Sequence, residues 1–424
     1  MPPMSVFAHT KKTQRGDLVA ALDIGTSKVC CAIAMGDLKE KMGLKILGLG
    51  QQSSKGVKAG AITDMDALED SILNAVHTAE QNAERTIGSL YVSLPACFIT
   101  SHIIDVEMTL GSEAVTTDHL RHLLTLGKHA QEFKNTQIIH ALPIAYILDQ
   151  QKDIRDPKGM FGEKLGAQIH ILSAPNIVLK NIAACIGRCH LDVNGFIVSS
   201  YASGLATLVD DELELGVTVI DVGGGTTTIA SFMNGALVYL SSIPVGGHHI
   251  TNDIARGLST PLSQAERLKT LYGSVFPINV DDREHIIVPQ LGDDPSATTH
   301  QVPKSLFIKI IKARVEEIFE MVWKNLEKSP VGDLINQRIV VTGGASQLPG
   351  LSDFLTQQWH RPVRIGHPMG FQSMSEMIQN PSFSTCAGLL HYAYRDEKIR
   401  EVKLLPQQKG HLWERFIGWF KENF

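Results

Sequence analysis

Two stretches of this chain, 18–28 and 216–230, repeat one design, and that repetition narrows the possible folds more than any other feature. The second, GVTVIDVGGGTTTIA, opens on the strand formers Val217, Val219 and Ile220 and reaches Asp221 where a buried strand should end. It continues through Gly223, Gly224, Gly225, Thr226, Thr227 and Thr228 into another apolar run. The first, LVAALDIGTSK, sets Asp23 at the end of an apolar strand and Gly25, Thr26 and Ser27 in the turn. Glycine lacks the Cβ that would keep backbone N–H groups from phosphate oxygens, so such turns suit a phosphate chain. A carboxylate just before the turn repels phosphate and suits Mg²⁺, held through water against it. Two copies predict a duplicated fold gripping one polyphosphate from both sides. A third turn, RIVVTGGASQLPG (338–350), follows a strand without an acid, and its Gly343, Gly344 and Ala345 suit close approach to a nucleoside.

In this order the three turns resemble the phosphate-1, phosphate-2 and adenosine motifs of the superfamily of actin, heat-shock chaperones and sugar kinases. Within it the chain is similar to the FtsA family of bacterial cell-division proteins. The resemblance rests on DIGTSKV (23–29), the middle run through TNDIA (251–255), AERLKTLYG (265–273), VVTGGASQLPG (340–350), STCAGLL (384–390) and an amphipathic C-terminal tail. It implies an α/β, actin-like two-lobed fold: a duplicated ribonuclease-H-like core, an FtsA-type inserted subdomain and a C-terminal amphipathic helix. ATP and Mg²⁺ are the implied cofactors. Asp23 and Asp221 would position the metal through water; Gly25, Thr26, Ser27 and 223–227 would hold phosphates, with Lys28 as a cationic partner. Glu266 and Lys269 stand one helical turn apart, where the family's acid and lysine reach ribose and adenine; the alternative is a plain surface ion pair.

The chain then divides into a first lobe (17–90, resumed at 169–215 and 376–395), an inserted subdomain (91–168), and a second lobe (216–245 and 331–375) carrying subdomain 246–330. A linker (396–411), read from the charged run RDEKIREVKLLPQQ, leads to the terminal helix (412–424). A helix starts near Asp64, with Leu68, Ile72, Val76 and Ala79 on one face. HLRHLLTLGKHA reads as a helix capped by Thr117, and QIIHALPIAYILD as a pair of strands. A long helix, 304–328, turns Phe307, Ile311, Val315, Ile318, Val322 and Leu326 inward. The resemblance implies that this subdomain receives the short acidic–apolar tail of the tubulin-like protein FtsZ. Lys304, Lys312 and Arg314 are candidate contacts, since a peptide carboxylate favours a cationic site, although lysines on an exposed helix need no such role. The insertion would serve assembly and other division-site partners. Aligned without gaps on Tyr201-Ala202-Ser203-Gly204, Gly195 stands where actin has the glutamine that orients the attacking water. At most slow hydrolysis is expected, with Asn194 or Ser199 as nearby substitutes.

A net charge of −5 argues against wholesale nucleic-acid binding. The six cysteines are scattered, mostly in apolar runs, as befits reduced thiols of a cytosolic protein. Cys185, Cys189 and His190 lack zinc or haem spacing, and His248–His249 shows no third ligand. Residues 1–16 carry Lys11, Lys12 and Arg15 without a following apolar core, so no signal peptide is expected. The chain also has no apolar run of bilayer-spanning length.

The last residues, LWERFIGWFKENF, do meet a membrane in this reading. Leu412, Trp413, Phe416, Ile417, Trp419, Phe420 and Phe424 fall on one helical arc, with Glu414, Arg415, Gly418, Lys421 and Glu422 on the other. Too short to span, such a helix suits the lipid interface. Acids offset bases on its polar arc, so apolar insertion, at up to ~1.5–3 kcal/mol per side chain, must drive binding. Docking on the protein's own surface is the alternative. Together these readings predict an ATP-binding filament former on the cytoplasmic side of the inner membrane at the septum, tethering the FtsZ ring. A soluble phosphotransferase of the sugar-kinase kind is the alternative, but it needs a separate base for its substrate hydroxyl, and none is evident.

Overall fold

The computed structural model describes residues 18–36, 43–130, 134–276, 284–291, 299–330, 338–372 and 377–404. The duplication is visible in its strand pairing. In the first lobe, Leu18–Ile24 pairs antiparallel with Lys28–Gly36 and parallel with Ser89–Leu94. In the second, Val217–Val222 pairs antiparallel with Thr227–Met233 and parallel with Arg338–Thr342. Asp23 faces Cys30 and Asp221 faces Thr228, each one pair from the end of its hairpin ladder, so both carboxylates come to the same edge of their sheets.

The first sheet has six strands, in the order Asp192–Val198, Ser89–Leu94, Leu18–Ile24, Lys28–Gly36, Leu44–Ser53, Phe371–Gln372. One face is covered by helix Met65–Ala83, whose N-cap Asp64 accepts from the N–H groups of Asp66 and Ala67. Leu68, Ile72, Val76 and Ala79 are buried there, as their spacing predicts, and Cys185 and Cys189 join the same core. The other face is covered by helices Ser199–Thr207 and Ser384–Leu404, which cross closely: a Cβ on Gly388 would stand 1.7 Å from the carbonyl oxygen of Ala202. Only glycine permits that crossing, and the crossing sets Ser203 beside Thr385. The charged run expected as a tether instead continues the second helix to Leu404. Its Arg, Glu and Lys residues are good helix formers, and the first helix breaker after them is Pro406. Because strand Phe371–Gln372 already pairs with Leu44–Ser53, the chain returns to the first lobe ahead of 376.

The five-stranded second sheet runs Ala236–Ile243, Thr227–Met233, Val217–Val222, Arg338–Thr342, Val363–Ile365. Helices Gly247–Gly257, Leu262–Tyr272 and Lys304–Glu327 build its subdomain. Phe307, Ile311, Val315, Ile318, Val322 and Leu326 are all buried in one core shared with the sheet.

The inserted subdomain is a four-stranded antiparallel sheet in the order Thr100–Thr109, Lys164–Pro175, Thr136–Leu148, Gln151–Ile154. Its boundaries therefore differ from 91–168. Ser89–Leu94 belongs to the first-lobe sheet, Lys164–Pro175 lies wholly in the insertion, and the first lobe resumes through helix Asn176–Arg188. Helix Thr117–His129 is capped by Thr116, not Thr117; the Thr116 hydroxyl accepts from the N–H of His119. The expected strand pair is one strand, Thr136–Leu148. Pro143 is tolerated because Gln151–Ile154 pairs only with Tyr146 and Leu148, leaving that edge unpaired at the proline, where the opposite ladder also shifts register between Gln168 and Ile169. Among the described residues no helix is long and apolar enough to cross a membrane. Residues 412–424, with Leu412, Trp413, Phe416, Ile417, Trp419 and Phe420, lie outside the described residues.

Candidate functional site

A cavity of about 470 Å³ lies between the lobes, within the size range of nucleotide and drug-sized ligand sites. Both acidic turns face it, and both close with the same hydrogen bond. The Gly25 N–H donates to the Lys28 carbonyl at 3.0 Å, and the Gly223 N–H donates to the Thr226 carbonyl at 3.0 Å. Gly25, Thr26, Ser27 and Lys28 line the cavity from the first lobe, and Gly223, Gly224, Gly225 and Thr226 from the second. The turns approach so closely that any Cβ would have to push side chains aside: one on Gly224 would stand 1.9 Å from Ser27 Oγ, and one on Gly225 2.7 Å from Thr26 Oγ1. Thr227 is the one expected phosphate contact that is not brought there. Strand alternation turns it away, and its hydroxyl donates to the Val245 carbonyl at 2.8 Å while Thr228 lines the cavity.

Asp23 and Asp221 both open onto this space. The protein around Asp23 strips it of water and, with the charge of Asp221, pushes its pKa up to about 6, against the opposing pull of the Ser93 hydroxyl and Lys28. Burial likewise raises Asp221, although Ser203 Oγ at 2.5 Å and Thr385 Oγ1 at 3.2 Å donate to it. Burial lowers the pKa of Lys28. Its ammonium donates to Ser382 Oγ at 2.9 Å and sits 3.3 Å from the centroid of the Phe383 ring. Two desolvated carboxylates beside backbone turns that bare their N–H groups make a donor set suited to a hard divalent cation and the phosphates it bridges.

The nucleoside end is built from the third turn and the helix of AERLKTLYG. Gly343 adopts φ +89, and a Cβ there would stand 2.3 Å from Asp221 Oδ1, so the third turn is packed directly behind the second acid. Gly344 and Ala345 line the cavity, as do Glu266 and Lys269. These last two pair at 2.7 Å, and Lys269 also donates to Thr251 Oγ1 at 2.8 Å and the Gly247 carbonyl at 3.2 Å. Burial works to raise the pKa of Glu266, but Lys269 and the Thr251 hydroxyl outweigh it and hold it below the usual carboxylate range. The pair is thus part of the cavity wall rather than an isolated surface bridge.

Sequence reasoning missed Ser93, Ser203, Ser382, Thr385 and His248, which the fold gathers around the same acids and turns. The sequence signal for Ser203 and Thr385 is their place within Tyr201–Gly204 and STCAGLL (384–390). His248, weighed in the sequence only as a metal ligand, places its Nε2 3.0 Å from Ser27 Oγ. Gly195 is half-buried in strand Asp192–Val198 with its open side toward the Tyr91 ring, and does not line the cavity; Ser199, the first residue of the next helix, does. The basic candidates of the subdomain are engaged within the chain. Lys304 pairs with Glu284 at 2.7 Å, Lys312 with Glu316 at 3.7 Å, and Arg314 with Asp253 at 2.5 Å and Glu317 at 2.6 Å.

A family model described as cell division protein FtsA matches residues 218–388, and one described as the SHS2 domain inserted in FTSA matches residues 98–173. The cell division protein FtsA of Rhizobium meliloti (strain 1021) is 41% identical over 428 residues, which cover 97% of this chain and 96% of that one. Among solved structures, a PilM–PilN type IV pilus biogenesis complex superposes with a TM-score of 0.61 at 16% identity, covering 88% of this chain and 98% of that one. MreB5 of Spiroplasma citri bound to ADP gives a TM-score of 0.55 at 14% identity, covering 91% of this chain and 98% of that one.

Proposed function

The chain belongs to the FtsA family of cell-division proteins, with its actin-like fold and inserted subdomain, and from that premise we propose that it is a nucleotide-gated membrane tether for the FtsZ ring. One adenine nucleotide with Mg²⁺ occupies the cavity between the lobes. Asp23 and Asp221 hold the metal through water. Gly25, Thr26, Ser27 and 223–226 present N–H and hydroxyl groups to the phosphates, with Lys28 behind them, while Gly343, Gly344, Ala345, Glu266 and Lys269 receive the nucleoside. Bound Mg²⁺ supplies the positive charge that the paired acids and phosphates together require. The observation that carries this reading is the convergence of two equivalent Asp–Gly turns, from two lobes, on one cavity.

Because the ligand touches both lobes, it favours the closed arrangement over the open one, and closure is the natural input to filament formation. The terminal residues 412–424 supply the lipid contact, and the cationic residues around Lys304, Lys312 and Arg314 the contact for the acidic FtsZ tail. For Arg314 that contact requires exchange of its Asp253 partner, so the tail must compete with an internal ion pair. Pelleting with ATP, lipid vesicles and FtsZ, beside a screen for sugar-dependent ATP turnover, tests the proposal. It expects lipid- and ATP-dependent co-pelleting with FtsZ; soluble protein that transfers phosphate to a sugar contradicts it.

A further inference from the structure

Ser27 and His248 stand 221 positions apart in sequence, yet Ser27 Oγ and His248 Nε2 meet at 3.0 Å across the two lobes. Both line the cavity at its phosphate end. The spot where they meet is also where the second glycine turn is open, because a Cβ on Gly224 would stand 1.9 Å from Ser27 Oγ and 3.3 Å from His248 Nε2. A serine hydroxyl, an imidazole and a bare backbone turn therefore converge from three directions.

His248 is also held rigidly. Its backbone N–H donates to the Gly224 carbonyl at 2.8 Å, and that of Gly247 to the Gly223 carbonyl at 2.9 Å, which staples helix Gly247–Gly257 to the second phosphate turn. One turn further along that helix, Thr251 bonds Glu266 and Lys269 at the nucleoside end. The neighbouring His249 turns elsewhere, its Nδ1 accepting from the Gly246 N–H at 3.1 Å.

We propose that His248 is a specificity-determining residue that reads the phosphate chain: its imidazole and the Ser27 hydroxyl clasp the polyphosphate from opposite lobes, so that binding strengthens with phosphate number. This rests on the nucleotide reading of the cavity and extends it to a side chain with no part in the acidic turns. A neutral imidazole offers one N–H to a phosphate oxygen while its other nitrogen stays an acceptor. A merely structural bond between the lobes would instead support all nucleotides alike.

The test measures affinities of the full chain for AMP, ADP and ATP with Mg²⁺ by calorimetry, in the wild type, His248→Ala and His248→Gln. The loss in His248→Ala should grow with phosphate number, reaching about tenfold or more for ATP while AMP stays within about twofold, the worth of one hydrogen bond to a charged group. His248→Gln, which keeps a donor, should recover most of the ATP affinity. Should His248→Ala fail to fold, Ser27→Ala carries the same test with the same expected gradient. Equal losses for the three nucleotides, or none, overturn the inference alone. A wild type that binds no nucleotide overturns the reading of the cavity with it.

Discussion

At Gly224 a single methyl group would displace the Ser27 hydroxyl of the opposite lobe. Its Cβ would collide with Ser27 Oγ at 1.9 Å, so Gly224→Ala should weaken nucleotide binding by about tenfold or more while leaving the cores of both lobes intact. Nucleotide titration beside thermal melting checks both halves; unaltered affinity would contradict the close approach. Asp23 gives a pH-resolved prediction. Its pKa is raised in the folded chain to about 6, so its ionised form burdens the folded state: the cost is absent near pH 4, grows toward pH 6 and is complete above it. In the absence of nucleotide, Asp23→Asn should therefore melt higher than the wild type at pH 7.5, on the order of 2–4 °C, with the gap shrinking below pH 6. In the presence of Mg-nucleotide the variant should lose the ligand's stabilisation. At this scale the acids and glycines were legible in the sequence because each sits at the end of its own strand. His248, Ser203 and Thr385 were not, since their partners Ser27 and Asp221 come from other elements and only the folded crossing unites them.

Among the elements, the strands and amphipathic helices followed from apolar periodicity, and the departures have local causes. The cap moved by one residue because Thr116, not Thr117, has the extended backbone from which a hydroxyl reaches the N–H of His119. The expected strand pair is one strand because the edge beside Pro143 is unpaired, a tertiary fact. The inserted sheet is also tied to both lobes. His140 accepts from the Val198 N–H at 3.3 Å and stacks edgewise on Tyr201 and Tyr392, while His170 Nδ1 lies 2.8 Å from the Leu237 carbonyl of the second lobe. Burial, with His170 nearby, pushes the pKa of His140 down to about 4, so the folded chain keeps it neutral while the unfolded chain protonates near 6.5. Its contribution is complete above pH 6.5 and fades as pH falls toward 4. Calorimetric melting should thus show a smaller acid-induced drop between pH 7 and 5 in His140→Gln than in the wild type, and an equal drop would contradict the assignment.

On the scale of the whole molecule, helix Ser384–Leu404, which packs beside Asp221 through Thr385, lies in sequence between the cavity residues and the terminal segment 412–424 proposed to meet lipid. Phe416→Glu should abolish co-sedimentation with liposomes while leaving nucleotide affinity unchanged; retained sedimentation would contradict the lipid role of the tail. In the proposed function one magnesium-bound adenine nucleotide is held jointly by the two lobes. Calorimetric titration of the full chain with Mg-ATP, beside Asp23→Asn and Asp221→Asn, tests it most directly. Saturable one-to-one binding is expected, and either substitution, in either lobe, should weaken it by about tenfold or more. Absence of binding in the wild type, or binding indifferent to one of the two acids, would contradict it.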